Sequence, residues 1–290
     1  MEKRLAIFVS NQVSPEYLKV LNILRDTFHW DIIAITTSDK VADMARTLLP
    51  VDRVYKIQSH VPFFQKEKLP LSDIVYTYRP QVSVTVGIPV RRIRRLLSQM
   101  TIPCIGIHLV HDPQNSMGDW LTQEIYPSFT PHIAFSQSEI SIPPPYPQDE
   151  YQDQDQIRLF CHGDQEQRIA VYDIAESLGI DTTEERSKAS ISVFLDPLDF
   201  DTFGSMICDM SEGKIIIAPR QEAYVNCLGK GGLFYQPYSL SELQACFEIL
   251  QKSSAKGQHL RQVLAEMYHK QYSYQAIAER WHRIFRNQLV

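Results

Sequence analysis

The stretch 3–36, KRLAIFVSNQVSPEYLKVLNILRDTFHWDIIAIT, reads as a strand, a helix and a second strand. Leu5–Ser10 and Ile32–Thr36 are apolar, β-branched runs of strand length. Between them Ser14-Pro15-Glu16 opens a helix. The serine caps it, the proline occupies the first turn where no N–H is needed, and the glutamate suits the positive end of the dipole. Tyr17, Leu18, Leu21, Leu24 and Phe28 form its apolar face. Two parallel strands joined by a helix require a right-handed crossover, so this one unit announces a parallel sheet wrapped by helices.

The alternation continues outward from there. A Ser38-capped helix carries Val41, Met44, Ala45 and Leu48 inward and stops at Pro50; the strand Arg53–Ile57 follows. After a loop over His60–Leu69, containing Pro62, Phe63 and Phe64, come a helix Leu71–Tyr78, a strand Gln81–Val86, a helix Val90–Met100 and a strand Ile102–Val110. The pattern predicts a helix over Met117–Ile125 and a strand over His132–Phe135. Then the texture changes. Ile142-Pro-Pro-Pro-Tyr-Pro147 lacks the donors of a β-ladder, and Gln148–Gln156 is almost wholly polar, as an interdomain linker is. Beyond it alternation resumes, with strands at Ile157–Cys161, Ala189–Leu195, Lys214–Ala218 and Gly232–Tyr235. Helices are expected at Gln167–Leu178, Phe203–Met210, Ser239–Gln251, Gln258–Lys270 and Tyr274–Leu289. The reading is α/β: two Rossmann-like domains with parallel sheets and a ligand cleft between them, 1–141 and 157–290, joined by a Pro-rich, acidic linker 142–156.

The composition suits that reading. Of 290 residues 44% are hydrophobic and 22% charged, and the formal charge is −5, which disfavours a general nucleic-acid binder. The five cysteines are scattered without a CxxC pair and sit mostly in apolar runs, so they are expected to be reduced, with no disulfide or metal role. The apolar run Leu5–Val9 is too short for a signal-peptide core or a membrane span, and a cytoplasmic protein is expected.

Chemistry in such folds gathers at the carboxyl ends of strands. His108 shares a strand face with Val110, while His111 falls at the strand exit beside Asp112; the pair either handles protons and sugar hydroxyls or caps the loop. In the second half Thr202-Phe203-Gly204-Ser205 forms the first turn of a helix, a place that welcomes phosphate. Asp201 and Asp209, eight residues apart, lie on roughly one side of that helix. They either hold hydroxyls of a ligand or serve as an N-cap and a surface charge. Val90–Leu97 places Val90, Ile93, Leu96 and Leu97 on one face and four arginines on its flanks. That pattern fits contact with an acidic membrane or a packed helix with a solvated face.

Several segments in order resemble the family 4 retaining glycosyltransferases. Asp201-Thr-Phe-Gly-Ser-Met-Ile-Cys-Asp209 and Gly213-Lys214-Ile-Ile-Ile-Ala218 are similar to that family's E-G-F-G-x-x-x-x-E segment and the strand after it. Gly231-Gly-Leu-Phe-Tyr-Gln-Pro237 resembles its G-G-L-L-V-P-P strand, and Tyr272-Ser-Tyr-Gln-Ala-Ile-Ala-Glu-Arg280 its closing helix, which in GT-B proteins crosses back to the first domain. Arg79–Val84, Pro103–Asp112 and Ile133–Ser136 resemble strands of its first domain. The resemblance implies a GT-B fold and retaining transfer of a hexose from a nucleotide-diphosphate sugar, used as co-substrate without cofactor or metal, to a glycan, lipid or protein. It implies that Asp209 grips the ribose, that Asp201 faces the donor sugar with Thr202–Ser205, and that His111 lines the sugar site. Arg168, Arg220 or Lys230 is a candidate phosphate partner, none of them at the family's position. The family's glycine pair after the first strand is replaced by Ser10-Asn-Gln-Val13. Its diphosphate-neutralising Arg and Lys are replaced by Gly163-Asp-Gln-Glu-Gln-Arg168, which sets acids where phosphate would lie. These departures raise a second expectation: a catalytically inactive GT-B subunit that binds a partner glycosyltransferase or a glycan.

Overall fold

A computed structural model of the chain describes residues 3–10, 13–58, 70–109, 117, 121–128, 139–147 and 157–289. It consists of two compact units, one made of Met1–Pro145 with Tyr274–Val290 and the other of Tyr146–Ser273.

The first unit alternates β1 (Lys3–Val9), α1 (Pro15–Asp26), β2 (Trp30–Thr36), α2 (Asp39–Leu48), β3 (Val54–Lys56), α3 (Leu71–Tyr78), β4 (Val82–Val86), α4 (Arg91–Leu97) and β5 (Cys104–Ile107). β6 (Gln123–Pro127) and β7 (Glu139–Ile142) complete a sheet of order β3-β2-β1-β4-β5-β6-β7, with every described pair parallel. Both faces are covered, and the strand residues divide between them by their period of two. Leu5, Ile7 and Val9 pack with α1 and α2, while Ala6 and Phe8 pack with α3 and α4. The sheet order reverses between β1 and β4, the switch point of a doubly wound fold.

The second unit holds β8 (Arg158–His162), α5 (Gln165–Ser177), β9 (Asp181–Thr182), β10 (Ile191–Phe194), α6 (Phe200–Ser211), β11 (Ile215–Pro219), α7 (Glu222–Leu228), β12 (Leu233–Tyr235), α8 (Leu240–Lys252) and α9 (Ser254–Gln271). Its sheet runs β12-β11-β10-β8-β9, again parallel throughout. The last helix, α10 (Tyr274–Asn287), packs into the first unit. There Trp281 is 1% exposed beside Tyr17 and Phe285, and the Trp30 indole N–H donates to Nδ1 of His282 at 3.0 Å.

Some expectations give way to tertiary pairing. The end of the helix expected over Met117–Ile125 is instead the start of the strand Gln123–Pro127: the Thr122 hydroxyl clasps the backbone of Cys104 at 2.7 and 2.8 Å and sets the chain in register beside β5. The helix expected from Phe203 starts three residues earlier, at Phe200, and α7 and β9 were not anticipated. In α4 the apolar face is spent on the core, with Ile93 and Leu97 buried, which leaves Arg91, Arg94 and Arg95 outward. The expected strand His132–Phe135 and the aromatic loop around Phe63 lie outside the described residues. No helix among the described residues is long and apolar enough to cross a membrane.

Candidate functional site

Most of the residues singled out above lie on α6, which begins at the carboxyl end of the second sheet. α6 follows β10 and is capped by Asp199, whose carboxylate accepts the Thr202 N–H at 2.7 Å. That bond holds the Asp199 carboxyl below the ordinary range. The sequence reading offered Asp201 or Thr202 as the cap, and the path of the backbone gives that place to Asp199 instead. Asp201 is exposed in the opening turn, Thr202 and Ser205 are half-buried, and Phe203 and Gly204 are buried.

Gly204 has a specific reason to be glycine. A Cβ there would stand 2.6 Å from Cε1 of Tyr146, so its absence lets the tyrosine ring lie directly on the helix. The Tyr146 hydroxyl donates to the Phe200 carbonyl at 3.2 Å, and Phe203 meets the rings of Tyr146 and Tyr272 edge-on. The Tyr146 side chain thus covers the helix at Gly204.

Asp209 is fully buried, and both its oxygens are engaged. Oδ1 accepts from Arg186 Nε and Lys214 Nζ, each at 2.8 Å, while Oδ2 lies 2.9 Å from His162 Nε2. Glu212 pairs with both cations, 3.1 Å from Arg186 and 2.5 Å from Lys214, and Lys214 Nζ also donates to the Arg186 carbonyl at 2.8 Å. Burial by itself raises the pKa of Asp209. The His162 hydrogen bond and the charges of Lys214 and Arg186 outweigh it and hold the carboxyl at about 2. His162 is fixed in turn by stacking on Phe194, with centroids 4.1 Å apart. The sequence reading gave His162, Arg186 and Lys214 no role beside Asp209, although a carboxylate on the buried face of a helix requires such partners.

The turn after β8 repeats the acidic capping. Asp164 accepts the Gln167 N–H at 2.8 Å, and Glu166 sits in the first turn of α5. The N-termini of α5 and α6 therefore carry carboxylates of the chain itself, where a diphosphate would need free N–H groups and positive charge, while α7 and α8 begin at Gln221 and at the Ser239 cap. Arg220, just past β11, is exposed and makes no ion pair with a described residue; its backbone N–H donates to the Tyr235 carbonyl at 2.7 Å.

His111 and Asp112 lie outside the described residues. Nearby in the first unit, His108 is buried, stacked on Tyr126, with Nε2 3.1 Å from Glu124 Oε1. Glu124 also accepts from the Tyr126 hydroxyl at 3.0 Å and the Met117 N–H at 2.9 Å. Burial pushes the Glu124 carboxyl up, but the Met117, His108 and Tyr126 hydrogen bonds bring it below the ordinary range.

No sequence-family model matches the chain, and no curated protein matches it. Solved structures do. A glycosyltransferase from Rickettsia africae superposes with a TM-score of 0.60 at 10% identity, over 99% of each chain. The Anabaena protein HepE, solved in complex with UDP, gives 0.56 at 10% identity, covering 98% of this chain and 100% of that one. Sucrose-phosphate synthase from Thermosynechococcus elongatus gives 0.54 at 11% identity, over 98% of each. Two parallel α/β units, a C-terminal helix returned to the first of them and this full-length likeness together identify the chain as a protein of the GT-B fold.

Proposed function

We propose that this protein is a glycosyltransferase that moves a sugar from a nucleotide-diphosphate donor to a glycan, lipid or protein acceptor in the cytoplasm. The observation that carries the proposal is the end-to-end correspondence with HepE, a GT-B structure solved with UDP and with UDP-glucose. In this reading the 157–290 domain takes the donor at the carboxyl end of its sheet. Arg220 neutralises phosphate, and Asp201 faces the sugar across the opening turn of α6 with Thr202 and Ser205. Charge developing on the departing diphosphate is balanced by Arg220, since Asp164 and Asp199 already cap α5 and α6. His111 and Asp112 come from the 1–141 domain, which presents the acceptor. Asp209 braces the unit from within, its carboxylate being taken by His162, Arg186 and Lys214.

A second reading has its own observations. The acid-capped helices, the covered Gly204 and the occupied Asp209 favour a GT-B subunit without catalysis that binds a partner glycosyltransferase or a glycan. Calorimetry and thermal shift against UDP, GDP, ADP and CMP, with their sugar conjugates, separate the two. A nucleotide that stabilises the wild type and loses its effect in Arg220→Ala supports a working donor site, because a ligand of the native state must raise its stability. Absence of binding at millimolar concentration, together with absence of donor hydrolysis, refutes the transferase reading and leaves the second.

A further inference from the structure

Between Asp73 and Asp112 the sequence carries no acidic residue, although the whole chain has 34 acids against 29 lysines and arginines. That acid-free stretch holds five arginines, and four of them fall within Arg91–Arg95. The structure uses the four differently. Arg92 is half-buried, and its guanidinium donates to the Gln58 carbonyl at 3.2 Å. Arg91, Arg94 and Arg95 are exposed and form no ion pair with a described residue. Spaced three and four positions apart, they share one face of α4, roughly opposite the buried Ile93 and Leu97. Like charges at this spacing repel, and Arg91, in a first turn without an acid, opposes the helix dipole. Within the chain this concentration of charge costs stability; against an anionic surface it is favourable.

Apolar surface borders the arginines. Ile88, just before the helix, is 69% exposed. Beside it a cavity of about 280 Å³ is lined by Ile88, Pro89, Val90 and Ile93 with Phe8 and Val9 of β1. A bilayer interface offers a partner to each part, anionic headgroups to the guanidiniums and hydrocarbon to Ile88. A nucleic acid answers only the charge, since 88–100 contains no aromatic ring on which bases would stack. The sequence pattern set the apolar side of this helix against a membrane. That side lies in the core, so the contact falls to the arginine face instead.

We propose that the arginine face of α4, with Ile88 as its apolar anchor, docks this protein on a bilayer surface rich in anionic lipid. The contact needs no nucleotide, so it stands apart from the donor reading.

The experiment is co-sedimentation of the full chain with vesicles of phosphatidylcholine alone and of an equimolar mixture with phosphatidylglycerol. Wild type should pellet only with the mixed vesicles, and about 1 M salt should release it, because the Debye length there is about 3 Å. Arg91→Gln, Arg94→Gln and Arg95→Gln together should weaken binding about 100-fold, roughly fivefold for each arginine. The corresponding triple lysine variant keeps the charge and should stay within about threefold of wild type. Ile88→Ser should weaken binding about tenfold, the loss of one buried aliphatic side chain. Lys252→Gln with Lys256→Gln, which removes two exposed cations of the second unit, should bind as wild type does. Circular dichroism melts check that each variant is folded. Failure to pellet with the mixed vesicles, or equal pelleting with the neutral ones, overturns the proposal. So does full binding by a folded glutamine variant, or lost binding by a folded lysine variant. Unchanged binding in Ile88→Ser removes the anchor, and equal loss in the Lys252/Lys256 variant removes the assignment to α4. Wild type that retains single-stranded RNA but not the mixed vesicles would make the face a nucleic-acid site instead.

Discussion

Replacing Asp209 by asparagine keeps the shape of the side chain and deletes the charge at the centre of the buried cluster in the second unit. The carboxyl stands at about 2 against 3.8 for the free group, a depression that corresponds to about 2 kcal/mol of stability at neutral pH. The substitution costs more than that, because it leaves Lys214, 3% exposed, and Arg186 to share Glu212. Breaking a buried pair from one side typically costs about 3–5 kcal/mol, and the partial exposure of Arg186 puts the expected loss near the lower figure, about 3 kcal/mol. The pH dependence has a definite sign. A depressed carboxyl stabilises the fold above its unfolded pKa and loses that contribution as pH falls through its folded value. Wild type should therefore weaken between about pH 4 and pH 2, and Asp209→Asn should lack this step. All three tryptophans, Trp30, Trp120 and Trp281, belong to the first unit, so indole fluorescence does not report the change. Urea unfolding followed by circular dichroism, with hydrogen exchange read on peptides covering 186–219, does. A loss below about 0.5 kcal/mol would remove the bracing role. A variant of full stability that no longer binds nucleotide would return Asp209 to the ribose.

Two further outcomes are expected. Gly204→Ala should lower stability by about 1–3 kcal/mol, since the new methyl meets the Tyr146 ring at 2.6 Å; pairing it with Tyr146→Ala in a double-mutant cycle should recover part of the loss, and strict additivity of the melts would contradict the contact. The cysteines should resist a thiol reagent at pH 8 until the protein is unfolded. All five are buried, and burial pushes Cys104, Cys161 and Cys227 up to about 12 and Cys246 up to about 11; rapid labelling of any of these four in the native protein would contradict their burial.

How far the sequence could be read follows from the range of the forces involved. The strand–helix–strand unit of 3–36 was legible because its signals are local: a short continuous apolar run in each of β1 and β2, a period near four in α1, and Ser14-Pro15-Glu16 at the helix start. β6 was misread because its strand character comes from pairing with β5, through a clasp between Thr122 and Cys104 that spans 18 residues. The start of α6 was placed three residues late because neighbouring residues competed for one cap. The Glu124 cluster with His108 and Tyr126 was half visible, as a histidine near a strand end, while its carboxylate lay in what read as a helix.

The sequence by itself determined the class of this protein: parallel α/β architecture in two halves, because hydrophobic periodicity and capping act within a few residues and survive extreme divergence. What the acidic residues do was decided only by the tertiary structure. Asp209 reads identically on paper whether it grips a ribose or braces a core. Its partners lie 47, 23 and 5 residues away, and a carboxylate's role is set by the charges that folding brings within about 3 Å. Gly204 likewise awaited Tyr146, 58 positions earlier, before its lack of a side chain acquired a cause.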